Sequence, residues 1–277
     1  MKLASFQSAD GRSGWGVVSG SGIIDCSGQA PSLRHALTNL GAIKFADREQ
    51  PDVQLSDVRL LPPIPDPDKI LCVGLNYMTH IAEGGREPPE KPIIFVRFPN
   101  SQVGDGQPMV APKASETFDY EGELAVVIGK TCRHVAKSDW QSVIAGYSCY
   151  NDGSIREWQR HSGQFTPGKN FYQSGAFGPY LVTPDELGDI RESTLLCRVN
   201  GEERQRAPIS DLCFDIPTLI EYCSTFTQLE PGDVIVTGTT GGVGAYFKPP
   251  KWLKPGDTVE VEVTGVGLLR NPVVAER

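Results

Sequence analysis

Apolar residues along the chain fall mostly in short runs bounded by glycine, proline, asparagine and aspartate, the pattern of strands joined by tight turns. Such runs predict strands at about 2–8, 14–18 and 22–26, then at 69–75, 93–97, 121–128, 144–150, 180–183, 195–199, 234–239 and 258–263. Helical periodicity is sparse. It predicts helices over about 32–40, with Ser32 as N-cap, and over 77–83, 138–144 and 215–226. Strands and helices do not alternate regularly, which argues against a doubly wound sheet or an α/β barrel. The expected class is a β-rich α+β fold with a curved, mixed sheet. Asn200-Gly201 marks a hairpin, because both residues tolerate positive φ. Leu-x-Pro-Gly-Asp occurs at 229–233 and again at 253–257, each time ahead of a predicted strand, so one tight turn is used twice.

Four prolines in the eight residues Leu61-Pro-Pro-Ile-Pro-Asp-Pro-Asp68 exclude both helix and ladder there. They are expected to divide the chain into a small N-terminal domain, 1–65, and a larger second domain, 66–277. The 277 residues carry 26 Lys+Arg against 34 Asp+Glu, a formal charge of −8. No basic stripe is present, so a nucleic-acid partner is not expected. No apolar run is long enough for a membrane span, and the start lacks a signal peptide's apolar region. Seven cysteines without C-x-x-C spacing fit neither a disulfide framework nor a zinc ribbon. Together these point to a reducing cytoplasm.

Four segments could carry chemistry. In Asp119-Tyr-Glu121-Gly-Glu123, side chains alternate along a strand, so Glu121 and Glu123 project from one face about 7 Å apart and call for a positive neighbour. Asp152 ends the next apolar run. Three such carboxylates would make a hard oxygen site for Mg2+ or Mn2+. Spacing alone does not separate this from two exposed glutamates and a turn aspartate. His80 and Glu83 stand at i, i+3 on the helix predicted for 77–83, the arrangement of an oriented general base or of an ordinary surface pair. Gly84 and Gly85 would end that helix and permit a lid to hinge. Lys169, in Thr166-Pro-Gly-Lys169, could meet an oxyanion or be a solvated loop residue. Thr237-Gly238-Thr239-Thr240-Gly241-Gly242-Val-Gly244 lacks the ending of a phosphate loop and reads as amides and hydroxyls facing a small carboxylate. Arg156 and Gln159 follow Asp152 and could line the same mouth or a solvated helix face. No serine-hydrolase or zinc-protease motif is present.

In order along the chain, Lys69-Ile-Leu-Cys-Val-Gly-Leu-Asn-Tyr-x-x-His80, Lys91-Pro-Ile-Ile-Phe, Asp119-Tyr-Glu-Gly-Glu123-Leu-Ala, Asn151-Asp152, Gly168-Lys169, Gly238-Thr239 and Gly242-Val-Gly244 resemble the fumarylacetoacetate hydrolase family. The resemblance spans about 69–273. It implies a mixed β-roll, a homodimer, and one divalent cation per subunit held by Glu121, Glu123 and Asp152. It further implies a lid dyad at His80 and Glu83, a substrate-facing Lys169 and an anion-binding loop at Thr239. Arg97, Tyr77, Arg156, Gln159, Thr239 and Gly238 become expected substrate contacts. Members cleave C–C bonds in 2,4-dioxo acids, decarboxylate oxo-diacids or isomerise hydroxymuconate-type dienes. The expected activity is hydrolysis of an acylpyruvate, with water activated by His80–Glu83. An isomerase or decarboxylase of a 2-oxo diacid, including oxaloacetate, in aromatic catabolism is the alternative, and a catalytically silent metal-bound protein is a further one. Relatives often read Val, Ala and Asp where this chain has Gly153, Ile155 and Glu157. Arg97 replaces a frequent lysine, and Thr240 a common proline.

Overall fold

The computed structural model describes residues 1–43 and 50–277. A twelve-stranded sheet forms its frame. Along its path run Val53–Gln54, Gly22–Asp25, Ser13–Ser19, Lys2–Ser8, Gly175–Val182, Ile144–Asn151, Gly122–Ile128, Val234–Thr239, Ile70–Gly74 and Ile93–Arg97, with two short strands attached off this path. Most pairs are antiparallel, but Val234–Thr239 runs parallel to Ile70–Gly74, so the sheet is mixed. The N-terminal strands belong to this same sheet: Lys2 pairs with Val182 and Leu3 with Leu181.

A five-stranded sheet, in the order Glu202–Pro208, Thr194–Val199, Thr258–Val263, Gly267–Ala275 and Met109–Ala111, packs against one face of the first. Strand Gly122–Ile128 shows why its sequence reads as a continuous apolar run. Leu124, Val126 and Ile128 face the cluster that contains Cys197, Val259 and Val261 of the smaller sheet. Ala125 and Val127 face the opposite cluster with Leu33 and Leu37. A strand buried on both faces has no polar side to show.

Helix Leu33–Leu37 starts at Ser32, whose hydroxyl accepts the His35 N–H, and helix Ile216–Phe226 is capped by Asp215. Asn200 and Gly201 turn with φ of 53° and 78°. Where a helix is expected over 138–144, residues 137–143 form 3-10 turns instead. Strands Glu202–Pro208 and Gly267–Ala275 escape the apolar pattern. Each keeps one exposed face, and only alternate residues such as Gln205 and Ala207 are buried.

Candidate active site

The antiparallel pairing of Gly122–Ile128 with Ile144–Asn151 sets Gly122 opposite Asn151 and Glu123 opposite Tyr150. That register brings Asp152 beside Glu121 and Glu123, and the Asp152 N–H donates to the Glu121 carbonyl at 2.9 Å. One oxygen from each carboxylate lies within 4.8 Å of the others, the one such trio among the described residues. All three are buried.

Cations from distant parts of the chain surround them. Lys169 Nζ donates to Glu121 Oε2 at 2.5 Å and to Asp152 Oδ2 at 2.7 Å. Arg156 Nη1 lies 2.6 Å from Glu121 Oε1, and its Nε donates to Asp119 Oδ2 at 2.8 Å. Arg97 Nη1 donates to Asp152 Oδ1 at 2.5 Å from behind the site. Burial opposes ionisation of Glu121, yet Arg156 and Lys169 outweigh it and hold that carboxyl well below the usual range. Glu123 differs. Burial, reinforced by Asp152 and Glu121, pushes its carboxyl well above the ordinary value. Among the described residues its Oε2 accepts only the Gly238 N–H, at 2.6 Å.

Four buried carboxylates (Asp119, Glu121, Glu123 and Asp152) therefore face three buried cations (Arg97, Arg156 and Lys169). Ionising all four would leave a surplus negative charge in a dry site, which is costly, and a hard divalent cation on three carboxylate oxygens would offset it. The donor set fits Mg2+ or Mn2+.

Of these acids, Glu121 and Glu123 line a cavity of about 110 Å3. His80, Arg86, Arg156, Gln159, Arg160, Lys169, Thr239 and Tyr246 are among the other residues that line it. Helix Met78–Glu83 delivers His80, whose Nδ1 is 3.4 Å from Glu83 Oε2. With Nδ1–H directed at Glu83, Nε2 keeps its lone pair and has no partner among the described residues. Gly84 caps the helix, and Gly85 at φ 60° closes it: the Gly85 N–H reaches Ala82 O and the Arg86 N–H reaches Ile81 O. This is a Schellman closure, and it fixes where Arg86 leaves the helix. Gly168 is required beside Lys169, because a Cβ there would lie 2.3 Å from the Gln159 backbone nitrogen.

Three of the expected substrate contacts lie elsewhere. Arg97 has no exposed side-chain surface, and it binds Asp152, Gly153 O and Ser174 Oγ, so it supports a carboxylate from behind. Tyr77 is fully buried and is not among the cavity's lining residues. Gly238 serves Glu123. The glycine loop does bind a carboxylate, but it is the protein's own: the Gly242 N–H donates to both Glu83 oxygens, at 3.0 and 3.1 Å. Thr239 lines the cavity with its hydroxyl already donating to Gly122 O and accepting from Gln205 Nε2. Arg156 keeps one buried nitrogen, Nη2, without a partner.

Sequence reasoning passed over Asp119, Arg86, Arg160 and Tyr246. Asp119 holds Arg156 and also accepts the Gly244 and Ala245 N–H groups at 2.8 and 3.0 Å, which seats Tyr246 at the cavity wall. A signal existed: Asp119 continues the alternation of Glu121 and Glu123 by one more step.

No helix among the described residues is long and apolar enough to cross a membrane. Residues 69–274 match the family model described as fumarylacetoacetate (FAA) hydrolase, C-terminal. A mitochondrial oxaloacetate tautomerase of Xenopus laevis is 38% identical over 288 positions, covering 99% of this chain and 90% of the relative. The solved fumarylacetoacetate hydrolase of Exiguobacterium antarcticum superposes with a TM-score of 0.89 at 35% identity, covering all of both chains. Maleylpyruvate hydrolase of Sphingobium sp. SYK-6, solved with manganese(II) and pyruvate, superposes at 0.83 with 30% identity over all of both chains. Family model, sequence relatives and whole-chain structural likeness agree: this chain belongs to the fumarylacetoacetate hydrolase family.

Proposed function

We propose that the chain interconverts the keto and enol forms of a compact 2-oxo diacid of the oxaloacetate type, with a divalent cation on Glu121, Glu123 and Asp152. When bound, Mg2+ or Mn2+ supplies a Lewis acid that polarises the 2-oxo carbonyl. His80 exchanges the proton at C3. Its Nε2 removes that proton from the keto acid and returns it in the reverse direction, and Glu83 stabilises the imidazolium in between. Lys169 places a buried ammonium against charge developing on the 2-oxo oxygen. The His80 imidazolium then gives that proton to the 2-oxo oxygen and returns to neutral, so atoms balance without water: one C–H bond breaks and one O–H bond forms.

The observation that carries this reading is His80, with Nε2 unpartnered among the described residues, in the same small cavity as Glu121 and Glu123 of the acid trio. About 110 Å3 is small beside the roughly 300 Å3 and upward usual for larger ligands, which favours a short diacid over a seven-carbon diene. The oxaloacetate tautomerase at 38% identity supports the same substrate class. Hydrolysis of a 2,4-dioxo acid is a second reading, favoured by the manganese- and pyruvate-bound maleylpyruvate hydrolase.

One product analysis separates them. With Mg2+ or Mn2+, oxaloacetate enol should decay to keto acid at unchanged mass, faster than in buffer. Two acids from an acylpyruvate, with oxaloacetate interconversion at the background rate, would establish hydrolysis instead, and released CO2 would indicate decarboxylation. We also propose a homodimer in the cytoplasm. Light scattering at the monomer mass and recovery in another compartment would refute those two points.

A further inference from the structure

We propose that Arg86 and Arg160 form a subsite for the distal carboxylate of the substrate and make this chain selective for 2-oxo diacids over 2-oxo monoacids. The assignment rests on the 2-oxo acid reading above and deepens it.

The cations of the cavity fall into two groups. Lys169 and Arg156 are tied to Glu121, Asp152 and Asp119. Arg86 and Arg160 line the same cavity, and their side chains have no hydrogen bond or ion pair among the described residues. Several exposed arginines elsewhere in this chain do find acids: Arg191 pairs with Asp189 at 2.6 Å, Arg206 with Glu203 at 2.6 Å and Arg270 with Glu260 at 3.3 Å. Arg86 and Arg160 are both exposed where they line the cavity, and no acid pairs with either among the described residues.

Their placement follows from two separate backbone devices. The Schellman closure at Gly85 sends Arg86 off the helix that carries His80. Arg160 directly follows helix Arg156–Gln159, its N–H bonded to Glu157 O at 3.1 Å. Two unrelated elements thus converge on one cavity.

The electrostatics require such a group. A 2-oxo acid would turn its oxo end towards a cation held by the acid trio. A second carboxylate in so small a cavity would meet Glu121 and Glu123 with like charge unless cations faced it. Guanidinium groups bind carboxylates through paired N–H donors, and an exposed position leaves the ligand free to exchange. A 2-oxo monoacid has nothing to offer them.

The test is equilibrium binding by calorimetry to the full chain in buffer with Mn2+, comparing 2-oxobutyrate with oxaloacetate already at keto–enol equilibrium. Both ligands have four carbons, and interconversion of the equilibrated diacid releases no net heat. The native chain should bind oxaloacetate about tenfold or more tighter than 2-oxobutyrate. Arg86→Gln and Arg160→Gln should each weaken oxaloacetate by about tenfold and leave 2-oxobutyrate within about twofold. Both positions are exposed, so circular dichroism should show the native fold in each variant. Equal binding of the two acids by the native chain, or equal losses for both in the variants, would overturn the subsite. Turnover is read separately. Diacid preference without keto–enol exchange would sustain the subsite and defeat the tautomerase reading, and exchange without preference would do the reverse.

Discussion

On one side of the site, Glu121, Glu123 and Asp152 sit at the ends of paired strands, and Lys169, Arg156 and Arg97 are bonded to them. On the other, His80, Glu83 and Arg86 ride on a helix of six residues and its closing turn. The acid wall is positioned by strand register, so a ligand atom cannot shift without a shift of the sheet. The helical wall is held by a few contacts: Asp211 accepts from both the backbone and the hydroxyl of Thr79, Gly242 donates to Glu83, and Gly85 closes the end. Chemistry that needs fixed oxygens lies on the sheet. Residues that choose among substrates lie where a change costs the fold little.

The largest effect should come from the acid wall. Glu123→Gln, or excess chelator on the native chain, should lower activity by about 1,000-fold or more, because the cation's contribution is several kcal/mol. The same variant replaces a buried carboxyl that has no ion pair among the described residues, so the thermal midpoint of the metal-free protein should hold steady or rise. Activity within tenfold of native under chelation would show that the acid trio is structural. His80→Gln comes next, with a loss of roughly 100- to 10,000-fold in rate and oxaloacetate affinity within a few-fold of native. Equal losses in rate and affinity would make His80 a binding residue and erase the distinction between the walls.

The acid wall was half legible in the sequence. Glu121 and Glu123 declare themselves by alternation, and like charges at that spacing ask for a positive neighbour. Which cation supplies it was hidden, because Arg156 and Lys169 reach Glu121 across 35 and 48 positions, through tertiary structure that local periodicity does not encode. Arg97 illustrates the same gap. Standing where relatives often carry a lysine, it reads by resemblance as a substrate contact, and only the packing of Ile93–Arg97 at the sheet's end turns it inward. Strand existence was legible in continuous apolar runs such as Gly122–Ile128 and Val234–Thr239, only partly so in Gly175–Val182 with its glycines and proline, and lost in Glu202–Pro208, where half the residues are solvated. His80 and Glu83 were legible because their partnership is local. Arg86 and Arg160 were not, since an arginine outside a motif carries no signal until a cavity forms around it.

Arg97→Met sharpens the comparison through stability. It leaves Asp152 buried without its guanidinium, so unfolding should be easier by about 3–5 kcal/mol in a denaturant titration. Arg86→Gln, the same residue type on the other wall, should change it by no more than about 0.5 kcal/mol. Comparable losses would mean that the helical wall is as integral to the fold as the sheet.

The smallest effect tests whether the closing turn positions Arg86. Gly85 sits at φ 60°, and no atom lies within 4 Å of where a Cβ would stand, so Gly85→Ala meets no clash and pays only for the left-handed backbone. That cost should be about 1 kcal/mol in stability. If the strain is relieved by opening the turn, Arg86 swings away while His80, a full turn earlier, stays. Oxaloacetate binding should then weaken by a few-fold with 2-oxobutyrate binding unchanged, a smaller copy of Arg86→Gln. A stability loss with no change in diacid preference would show that Arg86 finds the carboxylate from any starting geometry, and that the closure serves the helix alone.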